Sequence, residues 1–283
     1  MENKKPLIGF VGQGYVGGSY ANNFEKRGFD IVRYSLEEQY CANQDQIRCC
    51  DLVFVCVPTP TTQKGFDVSI VTEGLSLIGK GKIGIIKSTM LPGVSRKLQR
   101  KFPHIILLYS PEFLSVATAQ EDVDQTFSNV IGMAEDDANH RAAAKFVNSI
   151  LPPAPFTLAC TSEEAELIKY GHNLSGYVQV LTFNLLYDLA QKLNCDWDAI
   201  QPAFFADPMI SNRYCSPVHK GGRGAGGACF IKDVAALARL YREVVGRLEG
   251  QTFLEAAQKY NIQLLMDSEK DLDLLKVVYG SAP

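Results

Sequence analysis

The sequence predicts an α/β protein: a doubly wound domain over residues 1–155, followed by a mainly α-helical domain over residues 156–283 built on one long central helix. Three observations predict it. A short apolar segment runs straight into a glycine cluster and a helical stretch at the start of the chain. Near-continuous apolar runs at residues 52–57 and 82–87 then recur with helical stretches between them. Beyond the proline-rich residues 151–155 a long helical pattern begins. Strands covered by helices on both faces read as unbroken apolar runs, whereas a half-wet sheet alternates; these runs are of the first kind and predict parallel, buried strands.

Taken in order, residues 7–11 form the first strand. Gly12-Gln13-Gly14-Tyr15-Val16-Gly17 comes next, then a helix over residues 19–26 ending at Gly28, and a second strand over residues 31–34. A GxGxxG pattern between a strand and a helix, at the head of a βαβ unit, is the context in which it binds a dinucleotide. Gly12 permits the turn, Gly14 lets the backbone approach the pyrophosphate, and Gly17 allows close helix packing; Tyr15 and Val16 complete the loop at the positive end of the helix. The first domain is therefore a Rossmann domain, and NAD is the expected cofactor. The acidic residue that holds the adenosine ribose belongs at the end of the second strand, where Ser35 stands instead. Arg33 beside it leaves NADP open, an inward Glu37 or Glu38 would restore selectivity for NAD, and a solvent-facing Arg33 would decide nothing.

Further helices are expected at residues 69–78 and 93–101, and further strands at 105–108 and 129–133. A strand-like segment at 156–158 leads into Thr161-Ser162-Glu163-Glu164, a capping box with Thr161 as N-cap. The helix it opens runs from about residue 163 to 192, with Leu167, Leu174, Val178, Leu181 and Leu185 at helical spacing. So long a helix commonly runs through a subunit interface, and two copies packed on it would make a symmetric homodimer. In the tail, residues 252–260 read as helix and 262–266 as a strand.

A net charge of −3 supplies no basic footprint for nucleic acid or an anionic membrane surface. The expected partners are small molecules and copies of the chain itself. Residues 1–6 lead directly into a strand with no signal-type apolar core, and no run reaches membrane-spanning length, so a soluble, cytoplasmic protein is expected. Eight cysteines without a C-x-x-C pair then read as reduced thiols, with no zinc site and no other metal.

The second glycine cluster carries more chemistry. Residues 221–227 hold glycine at all but two positions, which calls for positive φ or close backbone approach, and Cys229, Lys232 and Asp233 follow at once, ahead of a helix over 233–245. A thiol at a helix N-terminus beside Lys232 is expected to ionise readily and to act as a nucleophile. Lys169 and Asn173, four residues apart, share one face of the long helix.

These residues, with Val57-Pro58-Thr59-Pro60, Lys87-Ser88-Thr89, Pro92-Gly93 and Ser110-Pro111-Glu112-Phe113-Leu114, resemble the UDP-glucose/GDP-mannose dehydrogenase family from residue 9 to about 243. That family oxidises the C6 alcohol of a nucleotide sugar to a carboxylate in successive NAD-dependent steps, the second through a cysteine thioester. The resemblance implies that Cys229 attacks the aldehyde, that Lys169 and Asn173 stabilise the oxyanion and hold the substrate, that Asp233 and Thr89 position water, and that Glu112 assists thioester hydrolysis. It further implies that Ser35, Pro58, Thr59, Thr89 and Lys232 lie at the cofactor, and that Phe113, Leu114, Gly222, Gly224 and Gly226 line the substrate. A nucleotide sugar such as UDP-glucose is the implied substrate. Two departures stand out. Val116 replaces a second glutamate of the family, and the residues after the glycine-rich block are too few for the family's additional nucleotide-sugar-binding domain. A smaller non-nucleotide substrate, a non-catalytic cofactor-binding protein and a single-step hydroxyacid-type dehydrogenase therefore remain alternatives.

Overall fold

In the computed structural model, residues 5–280 are described. The elements up to the sheet's midpoint are β1 (Ile8–Val11), α1 (Tyr15–Lys26), β2 (Ile31–Tyr34), α2 (Glu38–Cys41), α3 (Gln44–Ile47), β3 (Leu52–Val55), the hairpin β4 (Thr61–Thr62) and β5 (Gly65–Phe66), α4 (Ser69–Ser76) and β6 (Ile83–Ile86). Next come α5 (Val94–Lys101), β7 (Ile106–Tyr109), α6 (Ala119–Asp124), β8 (Ser128–Met133), α7 (Ala138–Ile150), β9 (Phe156–Thr161) and α8 (Ser162–Lys192). The rest is α9 (Trp197–Ala206), the hairpin β10 (Val218–His219) and β11 (Gly222–Arg223), α10 (Gly227–Val244), α11 (Leu248–Asp267) and α12 (Leu272–Tyr279). The chain divides into two compact units, Met1–Thr59 with Asp67–Lys169, and Pro60–Phe66 with Tyr170–Pro283. The division falls inside α8, not ahead of it.

The first unit is a seven-stranded sheet in the order β2-β1-β3-β6-β7-β8-β9. As the apolar runs imply, β1, β3 and β6 pair in parallel, and β2 and β7 join them in the same sense. β3 is fully buried along its length. Phe10 and Phe54 stack at 5.1 Å across β1 and β3, with Phe24 of α1 packed on both. Each such ring contributes about 1.5–3 kcal/mol by leaving water. β8 departs from the parallel pattern and pairs antiparallel with β7. The connection, residues 110–127, carries α6 along α1 from Ser19 to Lys26 and brings β8 in against the direction of β7, pairing Tyr109 with Gly132 and Leu108 with Met133. α8 begins with the expected capping box, Glu164 N–H donating to Thr161 Oγ1 at 3.4 Å and Thr161 N–H to Glu164 Oε2 at 2.8 Å. Its first turn crosses β8 so closely that a Cβ on Gly132 would lie 2.7 Å from that of Ala165.

The second unit is helical. Tyr177 and Leu181 of α8 pack with Val234 of α10 and Leu264 of α11, and Ile231, Ala235, Leu265, Leu275 and Val278 form a neighbouring cluster. Two expectations are corrected here. Residues 262–266 are the last turns of α11, not a strand: Leu254, Asn261, Leu264 and Leu265 are buried at helical spacing, and that face is what the apolar run encodes. α10 opens at Gly227, not at residue 233, so Cys229 lies within its first turn.

Candidate active site

The predicted residues are divided between the two units. In the first, the dinucleotide loop is built as its glycines require. Gly12 has φ +91°, and a Cβ there would sit 2.4 Å from the carbonyl oxygen of Cys56. A Cβ on Gly17 would sit 1.9 Å from that of Gly12, whereas one on Gly14 would meet nothing within 4 Å. α1 therefore packs tightly behind an open approach, and no side chain caps its first N–H groups. Such a helix end receives a phosphate, so these residues fit a dinucleotide. Tyr15 is exposed, and Val16 packs on the sheet's core.

At the end of β2 the sequence-based alternatives resolve differently. Glu37 and Glu38 are exposed, with Glu37 accepting from Gln39 at 3.1 Å. Ser35 Oγ accepts the Glu37 N–H at 3.2 Å in a local turn. Arg33 does not face solvent: its guanidinium pairs with Glu25 at 2.9 Å and donates to Asn22 at 2.9 Å and Gln13 at 3.4 Å. Its charge is met within the protein, which disfavours a second phosphate there.

The loops after β3 and β6 are tied together. Ser88 Oγ donates to the Val57 carbonyl at 2.6 Å and accepts its N–H at 3.0 Å, and Thr59 Oγ1 donates to the Thr89 carbonyl at 3.0 Å. Pro58 is exposed and Thr89 half-buried at this edge, the carboxyl end of the parallel strands where open α/β sheets bind their ligands. Glu112 follows β7 at the same edge and is 7% exposed; its Oε1 accepts the Leu114 N–H at 2.7 Å. The Lys169 ammonium donates to the backbone carbonyl of Glu112 and lies 5.4 Å from the centre of the Phe113 ring. Glu112, Phe113 and Lys169 are thus brought together. The Leu114 side chain packs into the core, and Val116 is exposed.

In the second unit, Asp233 is 1% exposed, and both its oxygens are engaged: Oδ2 accepts from Asn173 at 2.7 Å and Oδ1 from Lys232 at 2.5 Å. Each carboxylate oxygen keeps a second lone pair, enough to accept from a water. Cys229 lies in the first turn of α10, half-buried. The phenol of Tyr214, raised above its ordinary pKa by burial, feels the Cys229 thiol as a further raising influence and Arg213 as a lowering one. The glycines assigned to substrate have a different neighbour: a Cβ on Gly222 or Gly226 would lie within 3 Å of the Lys270 or Asp271 side chains, and one on Gly224, at φ +83°, would meet Asn261 at 3.0 Å. This block is glycine-rich because α11 and the turn after it press on it. An open depression of about 440 Å³ lies elsewhere in this unit, lined by Tyr187, Cys195 and Trp197 among others, and contains no predicted residue.

Three residues were given no role from the sequence: Tyr214, recognisable only in space, and Lys87 with Tyr20, buried beside Glu112. A signal existed for Lys87, since a lysine ending an apolar strand is an expensive residue to bury.

Fold and residues together define a class: a Rossmann dinucleotide-binding protein joined to a helical unit that offers a cysteine at a helix N-terminus. Comparison with known proteins narrows it. The NAD binding domain of the UDP-glucose/GDP-mannose dehydrogenase family matches residues 34–149, and that family's central domain matches residues 163–263. The chain belongs to this family and carries its NAD binding domain. An uncharacterized protein of Methanocaldococcus jannaschii is 26% identical over 97% of this chain and 35% of its own length. A UDP-glucose 6-dehydrogenase of Haloferax volcanii is 23% identical over 81% of this chain and 64% of its own. The chain thus spans between about a third and two thirds of those relatives. Among solved structures, a UDP-glucose dehydrogenase of Pyrobaculum islandicum superposes with a TM-score of 0.78 at 23% identity, covering 94% of this chain and 72% of the other. A 3-hydroxyisobutyrate dehydrogenase of Mycobacterium tuberculosis does so with a TM-score of 0.71 at 17% identity, covering 97% and 98%. Both likenesses speak for the fold. Among the described residues no helix is long and apolar enough to cross a membrane.

Proposed function

We propose that the protein is a cytoplasmic, homodimeric NAD-dependent dehydrogenase that oxidises the primary alcohol of a nucleotide sugar such as UDP-glucose to the carboxylate through a thioester at Cys229. The observation that carries this is Cys229 in the first turn of α10, one turn from an Asp233 held by Asn173 and Lys232. A thiol gives a covalent route from aldehyde to acid, and a one-step alcohol dehydrogenase has no use for it. Bound NAD accepts the hydride in each oxidation.

The chain's residues supply the rest. In the first step the substrate hydroxyl would lose its proton to solvent while C6 gave up a hydride, leaving the aldehyde. Cys229 sulfur then adds to the aldehyde carbon while its proton passes to the new oxygen, giving a thiohemiacetal. Loss of that proton and a second hydride leaves the thioester. Lys169 and Asn173 stabilise the oxyanions, a contribution of a few kcal/mol for well-placed donors. Water, oriented by Asp233 and Thr89, attacks the thioester carbon as Glu112 takes its proton; the carbon–sulfur bond breaks, and the thiolate leaves and is reprotonated. The sum is one alcohol, one water and two oxidised cofactors giving one carboxylate, two reduced cofactors and three protons. Self-association is supported by Leu185 and Leu189 of α8 and Leu193 just after it, all more than half exposed.

The test is stoichiometry. Two reduced cofactors per nucleotide sugar are expected, with Cys229→Ala forming no carboxylate and retaining NAD binding. The full-length likeness to a hydroxyisobutyrate dehydrogenase favours one rival, a single oxidation of a smaller hydroxyacid. One reduced cofactor per substrate and an unaffected Cys229→Ala variant would establish that rival instead.

A further inference from the structure

The carboxyl edge of the sheet holds a buried ammonium that the two-step mechanism leaves without a task. Lys87 directly follows β6, with its side chain 2% exposed. Its Nζ donates to Ser110 Oγ at 3.2 Å, lies 4.0 Å from the centre of the Tyr20 ring, and is 3.9 Å from Glu112 Oε2. That Oε2 is buried, Oε1 is engaged by the Leu114 N–H, and the Tyr20 phenol also interacts with this carboxylate.

Titratable groups face Lys87 from each element around it: Tyr20 from α1, Cys56 after β3, Glu112 after β7, and Lys169 from α8. Burial lowers the pKa of Lys87; Glu112 and then Cys56 raise it, and Lys169 lowers it. Burial likewise pushes the Cys56 thiol up to about 12 and the Tyr20 phenol well above its usual value, so both are neutral near pH 7. Glu112 is then the anion that answers Lys87. A buried ammonium without an anion is strongly disfavoured, and so is a buried carboxylate without a cation.

We propose that Lys87 is a positioning residue whose ammonium keeps the Glu112 side chain an ionised carboxylate, with Oε2 poised to take the proton of the hydrolytic water. This rests on the assignment of Glu112 as the base of thioester hydrolysis. Removal of the neighbouring positive charge makes a carboxylate take up its proton more readily. Hydrolysis in a Lys87→Met variant must therefore switch on at higher pH.

The experiment follows acid release from the aldehyde and NAD over the whole pH range in which the protein stays folded, with the Cys229 acyl-enzyme monitored by intact mass. In Lys87→Met the half-maximal pH rises by at least about one unit, so hydrolysis is roughly tenfold slower on the acid limb and recovers at high pH; Lys87→Arg keeps the wild-type midpoint. An equal fall at every pH, with the midpoint unmoved, overturns the proposal and leaves Lys87 a structural residue. If the wild type forms no acyl-enzyme, the parent assignment fails, and the pairing is decided in the cofactor-free protein by carboxyl NMR, with Glu112→Gln giving the assignment. The Glu112 resonance must then protonate at higher pH in Lys87→Met, and an unaltered titration overturns the pairing. Should Lys87→Met not fold, the Lys87→Met/Glu112→Gln double variant must restore folding, and its continued failure overturns the proposal too.

Discussion

Glu166 offers a prediction that turns on a single buried charge. The residue sits in the second turn of α8, wholly inaccessible to solvent, and its carboxylate accepts the Gly93 N–H at 2.6 Å and the Ser95 N–H at 2.9 Å, pinning the start of α5. Burial outweighs those hydrogen bonds and raises its pKa from 4.5 to about 7. A group whose folded pKa lies above its unfolded value binds its proton more tightly in the fold. Its favourable contribution is complete below the unfolded pKa and is lost as pH rises through the folded one. A shift from 4.5 to about 7, at ~1.36 kcal/mol per unit, makes that loss about 3 kcal/mol. Glutamine keeps the shape without the charge, so Glu166→Gln removes this pH dependence. Urea unfolding of both proteins between about pH 4 and pH 8 measures it: titrating groups that do not interact with Glu166 cancel in the difference, and Glu163 is the titrating neighbour that contributes to its shift. Wild-type stability minus variant stability is expected to fall by about 3 kcal/mol across the range. A difference independent of pH would refute the argument, and one that grew with pH would show that the N–H groups prevail over burial.

Other consequences are direct. Gly17→Ala places a methyl 1.9 Å from the Gly12 carbonyl oxygen, so the loop must shift; NAD affinity by calorimetry should fall at least about tenfold, and unchanged binding would contradict the cradle. Glu25→Ala releases Arg33 from its 2.9 Å ion pair, and the affinity for NADP relative to NAD should rise roughly tenfold in fluorescence titration; an unaltered ratio would place the 2′-phosphate elsewhere. Asn173→Ala leaves buried Asp233 Oδ2 without its 2.7 Å donor, at a cost of about 1–3 kcal/mol in unfolding free energy. A stability loss below about 0.5 kcal/mol would show that solvent replaces the amide.

What could be read from residues alone was whatever local chemistry dictates. The turn after β1 needs Gly12 at positive φ, and Thr161 with Glu164 builds a capping box in any context, so the first βα unit and the start of α8 were legible. So was the placing of Lys169 and Asn173 on one long helix, though their partners, Glu112 and Asp233, were not. Contacts made across the chain were not. Nothing near Arg33 in sequence reveals that Glu25 and Asn22 will hold it, and nothing in the apolar run of β8 reveals that it pairs antiparallel with β7. Residues 262–266 misled because a short apolar run is compatible with either period until the buried face is known. The glycine block shows the same limit from the other side. Its composition announces close approach but not of what, and α11 with the turn after it accounts for Gly222, Gly224 and Gly226 without any ligand. That redistributes the functional weight toward residues that packing does not explain. No fold requires an ammonium at position 87 or a carboxylate at 112; an apolar pair would fill the same space at no electrostatic cost. Their burial together, 3.9 Å apart, is therefore the strongest mark of chemistry in the first unit.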